Sequence, residues 1–283
     1  MPEELRTNPD ALAGVPEPRI GRHRVNGTTL YAEVRGEGPA VLLIPGGTED
    51  AEGWRAVAER IPGRTVVTYD RRGTLRSGRQ DWPGRGSAQH ADDAAALVRA
   101  LGLADLVVFG GSSAGVIVIH LAIRHPTLVR RALVYEPGYL TLTVDGERLR
   151  SLVLVATDAH LRSHPGDWVG AYRAFTRAVA PAAGSLTASA ERYWFGKREE
   201  RNAEAMVRDD IPLLTAEAVD AAALASTPVD VRFAYGSETS PVFREIAVRL
   251  AAVRGVLPHV IPGVGHAIYL HADAAAAYLR ESW

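Results

Sequence analysis

Cysteine is absent from all 283 residues. That excludes disulfides, thiolate metal sites and a cysteine nucleophile, and it suits a reducing interior. An excess of one charge is also lacking. Lys and Arg total 32 against 33 Asp and Glu, for a formal net charge of -1, so no electrostatic pull toward nucleic acid or an anionic membrane is expected. No apolar run reaches membrane-spanning length. Runs such as Val41-Leu42-Leu43-Ile44 and Leu106-Val107-Val108-Phe109 have the length of buried strands. The opening stretch MPEELRTNPDALAGVPEPRI is polar and proline-rich, without the apolar centre of a secretory leader. A soluble, cytoplasmic protein is the expectation. No His, Asp and Glu cluster suggests a metal. The turn Gly110 to Gly115 has no Gly-Lys-Ser/Thr after it and no G-x-G-x-x-G pattern. No cofactor and no metal are expected.

Hydrophobic residues, at 47%, suffice for a substantial core. Residues 1–19 read as a loose tail. Strands are expected at Leu30 to Val34, Ala40 to Ile44, Thr65 to Tyr69, Leu106 to Phe109, Arg131 to Tyr135, Val229 to Tyr235 and His259 to Ile261. Helices are expected at Trp54 to Arg60, Ser87 to Leu101, after Ser113 to about Arg124, Phe243 to Val253 and Ala272 to Glu281. That alternation predicts an α/β fold on a mostly parallel sheet. Between 138 and 225 the rhythm changes to a helical, aromatic-bearing segment. The expected organisation is a core over 20–137 and 226–283, with 138–225 inserted as a helical lid.

Four strand-end loops carry the chemistry. A glycine-rich turn holding serine, between a buried strand and a helix, is the setting of a nucleophile elbow. Gly110-Gly111-Ser112-Ser113-Ala114-Gly115 offers two registers, centred on Ser112 or Ser113. Pro45-Gly46-Gly47-Thr48 follows another strand, and the Gly47 amide can pair with that of Ser113 to hold an oxyanion. Thr48 and Glu49 are placed to touch substrate. His266, in Pro262-Gly263-Val264-Gly265-His266-Ala267-Ile268-Tyr269, sits where a histidine can reach a serine over the sheet. Two carboxylates compete to orient it. Glu136 ends strand RALVY, and Glu238 follows strand VRFAY. Asp70 and Arg71 of the DRRG run follow another strand and look catalytic at a glance. Asp92 and Asp93 read as solvated helix residues, and His23, His90, His120, His160 and His259 as surface or structural.

The strings LLIPGG, TYDRRG, VVFGGSSAG, ALVYEPG and PGVGHAIY together resemble the α/β-hydrolase superfamily over roughly residues 22–283. The resemblance implies an α/β-hydrolase fold and a serine hydrolase, with the DRRG run of Asp70 and Arg71 as a structural turn. It implies Ser112 as nucleophile, two residues past the glycine that ends the strand. The usual acid position after VRFAY falls here on Thr239, which cannot serve, so Glu238 stands one residue early and Glu136 becomes the choice.

A closer likeness is to zearalenone-type lactonases, with a Ser-Glu-His triad of Ser112, Glu136 and His266 and oxyanion positions Gly47 and Ser113. It implies Trp194 as a lid tryptophan packing on substrate. The binding set around it is Gly46, Thr48, Tyr193, Pro137 and Ile268. The departures are Ala114 for glycine, Gly46 for an acidic residue and a different lid sequence. The implied function is cleavage of an ester or lactone of a bulky apolar small molecule, with no nucleic-acid or membrane partner and homo-oligomerisation left open. The rival readings are a carbon–carbon bond hydrolase or cofactor-free perhydrolase on the same scaffold, and a ligand-binding relative without catalysis.

Overall fold

The computed structural model describes residues 17–82, 84–179 and 200–283. The strands are β1 (Arg19–Val25), β2 (Thr28–Arg35), β3 (Ala40–Ile44), β4 (Thr65–Tyr69), β5 (Leu106–Ser112), β6 (Val129–Pro137), β7 (Asp230–Gly236) and β8 (His259–Ile261). They form one eight-stranded sheet in the order β1-β2-β4-β3-β5-β6-β7-β8. The pairs β1·β2 and β2·β4 are antiparallel, and the rest are parallel. The main helices are α1 (Arg55–Glu59), α2 (Gly86–Ala100), α3 (Ser113–Arg124), α4 (Val144–Ser163), α5 (Trp168–Val179), α6 (Ala221–Ser226), α7 (Pro241–Val253) and α8 (Ala272–Glu281).

The central strands are continuous apolar runs because both faces of a parallel sheet are covered. On β3, Val41 and Leu43 join the layer packed by α1 and α8, whereas Leu42 and Ile44 join the layer packed by α2, α3 and α7. Two aromatic side chains of the first layer, Trp54 and Phe109, meet edge-on with ring centroids 5.4 Å apart. The edge strand β1 was not anticipated. Its sequence RIGRHRV carries three arginines and lacks an apolar run, and it starts inside the segment expected to be tail. Its partly exposed, basic character is a common way to keep a sheet edge from pairing with another chain.

Between the neighbouring strands β6 and β7 the chain makes an insertion of α4, α5, the short turns Ala203–Ala205, Met206–Asp210 and Ile211–Leu213, and α6. Leu149, Val153, Ala171, Tyr172, Val207 and Ile211 of this insertion share one apolar cluster with α2 and α3. Tyr193 and Trp194 lie outside the described residues. Among the described residues no helix is long and apolar enough to cross a membrane, and no group of three metal-ligating side chains gathers.

One expectation is corrected here. Asp93 is not solvated: its side chain is buried against Arg72, with Nε 2.6 Å from Oδ2. Arg72 enters the core from the DRRG turn and also donates to the Asn26 carbonyl at 2.9 Å. A buried guanidinium needs a counter-charge, and breaking such a pair costs about 3–5 kcal/mol. Asp92, on the next helical position, does stay part-exposed, where Arg85, Arg124 and His125 surround it.

Candidate active site

The relevant loops all leave the carboxyl ends of parallel strands, where open α/β sheets gather their ligands. Ser112 ends β5 with φ 54° and ψ -127°. Such a backbone costs a non-glycine residue roughly 1–3 kcal/mol and persists only where the surroundings enforce it. Here the Ser112 carbonyl accepts the Gly138 N–H at 2.9 Å. Close packing below excludes larger residues: a Cβ on Gly115 would lie 3.0 Å from the Pro137 Cα.

The two adjacent serines have different surroundings. Ser112 lines the cavity over the sheet. Ser113 is buried in its wall. The Ser113 hydroxyl accepts the Gly47 N–H at 2.9 Å and lies 3.4 Å from Asp210 Oδ2.

Glu136 occupies a bulge. Tyr135 pairs with Gly111 and Pro137 with Ser112, so Glu136 is skipped in the ladder, and its φ is 40°. A bulge re-aims a side chain. Glu136 is fully buried; its Oε1 accepts the Gly236 N–H at 2.9 Å, and its Oε2 lies 2.7 Å from His266 Nδ1. His266 therefore keeps Nε2 for other work. Its ring stacks on Phe243 of α7, with centroids 3.9 Å apart and planes 20° apart. The histidine loop is pinned by Tyr135, whose hydroxyl donates to the Gly265 carbonyl at 2.6 Å. His266 and Ser112 face the same cavity, with no direct hydrogen bond between them among the described residues. Glu238 is exposed, and among the described residues its one tie is the backbone N–H, to the Val264 carbonyl at 3.0 Å.

Around the loop after β3, Glu49 Oε2 accepts the Gly46 N–H at 2.7 Å and the Trp54 Nε1–H at 2.8 Å. Burial pushes the Glu49 carboxyl up from its ordinary range, and those two donors pull it back. Arg71 Nη2 donates to the Gly47 carbonyl at 3.1 Å and to Asp210 Oδ2 at 2.5 Å. Burial likewise pushes Asp210 up, opposed by Arg71. His90, 3.1 Å from Arg71 Nη1, is held well below the usual histidine value by burial and by the charges of Arg71 and Arg72.

Of the expected binding residues, Thr48 and Ile268 line the cavity, Gly46 and Pro137 stand behind its lining, and Tyr193 and Trp194 are outside the described residues. The remaining wall is largely apolar: Leu140, Leu149, Val153, Phe175, Val179, Met206 and Ile211 come from the insertion. Sequence reasoning missed Asp210, Phe243 and Tyr135. For Asp210 a signal existed: two adjacent acids in VRDDIPLL open an apolar run, while the arginine-rich DRRG region needs buried counter-charges.

A model of the alpha/beta hydrolase fold family matches residues 39–273. An uncharacterised hydrolase of Bacillus subtilis, YraK, is 40% identical over 124 residues, which is 43% of this chain and 46% of that protein. A putative carbamate hydrolase of Azorhizobium caulinodans, RutD, is 33% identical over 142 residues, 48% of this chain and 53% of that one. The chain thus spans about half the length of these curated relatives. Among solved structures, Est816, described as an N-acyl homoserine lactone degrading enzyme, superposes with a TM-score of 0.71 at 20% identity, over 92% of this chain and 99% of that one.

Proposed function

The chain belongs to the alpha/beta hydrolase fold family, and from that premise we propose that it is a serine hydrolase of carboxylic esters or lactones with a bulky apolar portion. The observation that carries this reading is the Glu136–His266 contact beside the cavity that Ser112 also lines. In the proposed reaction Ser112 Oγ attacks the carbonyl carbon while His266 Nε2 takes its proton. Glu136 keeps the proton on Nδ1 and offsets the imidazolium charge. The backbone N–H groups of Ser113 and Gly47 receive the developing oxyanion, the Gly47 N–H turning to it from the Ser113 hydroxyl that it otherwise meets. His266 then protonates the departing alkoxide, and water releases the acyl group by the same route in reverse. The serine–histidine hydrogen bond of such sites tightens only when substrate is bound.

The aliphatic and aromatic wall supports an uncharged, apolar substrate portion. A zearalenone-type macrolactone is the finer form of this reading, on the likeness of the Ser112, Glu136 and His266 spacing. RutD supports a second carbonyl class, since a carbamate presents the same electrophilic carbon to the same serine. The test is a panel of an aryl ester, an acyl homoserine lactone, zearalenone and an aryl carbamate, with product masses. Ser112→Ala should lower turnover by at least about 10⁴-fold, and Ser113→Ala should keep measurable turnover. A fluorophosphonate adduct should map to Ser112. An adduct on Ser113, or full activity in Ser112→Ala, would overturn the assignment.

A further inference from the structure

Both backbone polar groups of Gly47 lead, through one side chain each, to the same carboxylate. The Gly47 N–H donates to Ser113 Oγ at 2.9 Å, and that hydroxyl lies 3.4 Å from Asp210 Oδ2. The Gly47 carbonyl accepts from Arg71 Nη2 at 3.1 Å, and Arg71 grips Asp210 with both terminal nitrogens, at 2.5 and 3.3 Å. Arg71, Ser113 and Asp210 are all buried. The ring of contacts closes across four remote parts of the chain: the loop after β3, the turn after β4, the elbow after β5 and the insertion.

Asp210 comes from the insertion. It ends the π-helical turn Met206–Asp210, a local geometry that is rare and frequent at functional sites. The same turn presses on Gly47 a second time: a Cβ there would lie 2.9 Å from Met206 Sδ. The neighbouring Asp209 is engaged elsewhere, with Arg79 at 2.7 Å. Burial and the charges of Arg71 and Arg72 hold His90 well below the usual histidine value, and Asp210 is the carboxylate that Arg71 contacts directly.

We propose that Asp210 is a positioning residue for the oxyanion loop, so that the Gly47 amide is correctly aimed only when the insertion is seated on the core. This rests on the serine-hydrolase reading given above. An ion pair that merely glued the insertion down would not need to end on the carbonyl of the residue whose N–H serves the reaction. Reacting groups must be held within about 0.5 Å of productive geometry, and losing an oxyanion donor outright costs about 10²–10³ in kcat. A donor left in place but misaimed should cost less.

The experiment compares wild type with Asp210→Asn, which keeps the size and one acceptor but removes the charge. Each protein is assayed for kcat and KM on an aryl ester. Each is also titrated with a trifluoromethyl ketone, which adds Ser112 to give a tetrahedral oxyanion, and with the matching secondary alcohol, which cannot. We expect kcat to fall about 10- to 100-fold and ketone affinity to fall in parallel, while KM and alcohol affinity hold within about 3-fold. Where Asp210→Asn does not fold, Arg71→Met/Asp210→Leu replaces the pair by apolar groups of similar bulk, a change that folds commonly tolerate, and the same pattern is expected. A folded variant with unchanged kcat and ketone affinity overturns the proposal. So does an equal loss for ketone and alcohol, which would mean general damage to the cavity. The serine reading fails separately, by Ser112→Ala retaining turnover.

Discussion

Two Glu–His pairs among the described residues stand at nearly the same distance. Glu136 Oε2 lies 2.7 Å from His266, and Glu217 Oε2 lies 2.6 Å from His120. Separation therefore says nothing about which pair is chemical. The difference lies in the atoms used and in what surrounds them. His266 is held through Nδ1, its carboxylate is fully buried, and the ring lines the cavity. His120 is held through Nε2 on the side of α3. Its carboxylate also accepts the Ser87 N–H at 2.7 Å, and the Glu217 carbonyl accepts the Thr141 hydroxyl at 2.7 Å. The second pair is a strap between α2, α3 and both ends of the insertion.

The comparison breaks most sharply at Glu136. Glu136→Gln should lower kcat by about 10³–10⁴-fold, because the amide cannot hold the required tautomer or offset the imidazolium. Steady-state kinetics on an aryl ester reads this directly. An effect under 10-fold would reduce Glu136 to a strut like Glu217.

Next in size is Gly236→Ala. Its Cβ would sit 2.0 Å from the Val264 carbonyl oxygen and 2.6 Å from the Tyr135 hydroxyl. The Gly236 N–H must then leave Glu136, so kcat should drop about 10- to 100-fold, with a lowered melting temperature. Unchanged kinetics would show that the bulge alone fixes the acid.

Glu217→Gln should do the opposite of Glu136→Gln: kcat within about 3-fold, with stability at neutral pH lower by about 1 kcal/mol. Burial pulls the Glu217 pKa up, but hydrogen bonds from His120 and Ser87 outweigh it and the net shift is downward. A carboxylate whose folded pKa is depressed contributes stability that is complete above the unfolded value of about 4.3 and is lost as pH falls through the folded one. The wild type should thus lose an acid-side increment of stability that Glu217→Gln lacks, as followed by thermal melts between neutral and acid pH. The smallest effect belongs to Glu238→Gln, within about 0.5 kcal/mol and without kinetic change. A large loss there would return the acid to the end of β7.

The parts of the fold that were legible are those where one physical demand dominates. A continuous apolar run gave β3 to the residue, because burial on both faces leaves no polar position inside it; β4 and β8 were read from shorter β-branched stretches, and β8 lies at the sheet edge with only Ile261 buried. The choice of Glu136 over Glu238 came from Thr239, whose identity left the customary acid position empty, and from the lactonase likeness. Its bulge was not legible, since nothing in ALVYEPG states that the ladder skips one residue. Arg19 to Val25 was missed because pairing, not burial, makes that strand. Asp93 was misread because a charged helix position looks solvated until its partner, Arg72, is known to enter the core. Asp210 belongs to the same class: long-range ion pairs leave no periodic trace.

The insertion leaves from β6 and returns to β7, strands that lie side by side with Tyr135 opposite Ala234. Closing a chain between two adjacent anchors depends only weakly on how long it is, about 0.6 kcal/mol per doubling. Such a joint invites exchange: a foreign segment of another length could be grafted there to change what the cavity accepts, with Ser112, His266 and Glu136 all left on the recipient. The Arg71–Asp210 contact sets the compatibility rule for that exchange. A graft that brings no acid to the height of Arg71 leaves a guanidinium buried alone, so the donors that fit are those that carry their own counterion.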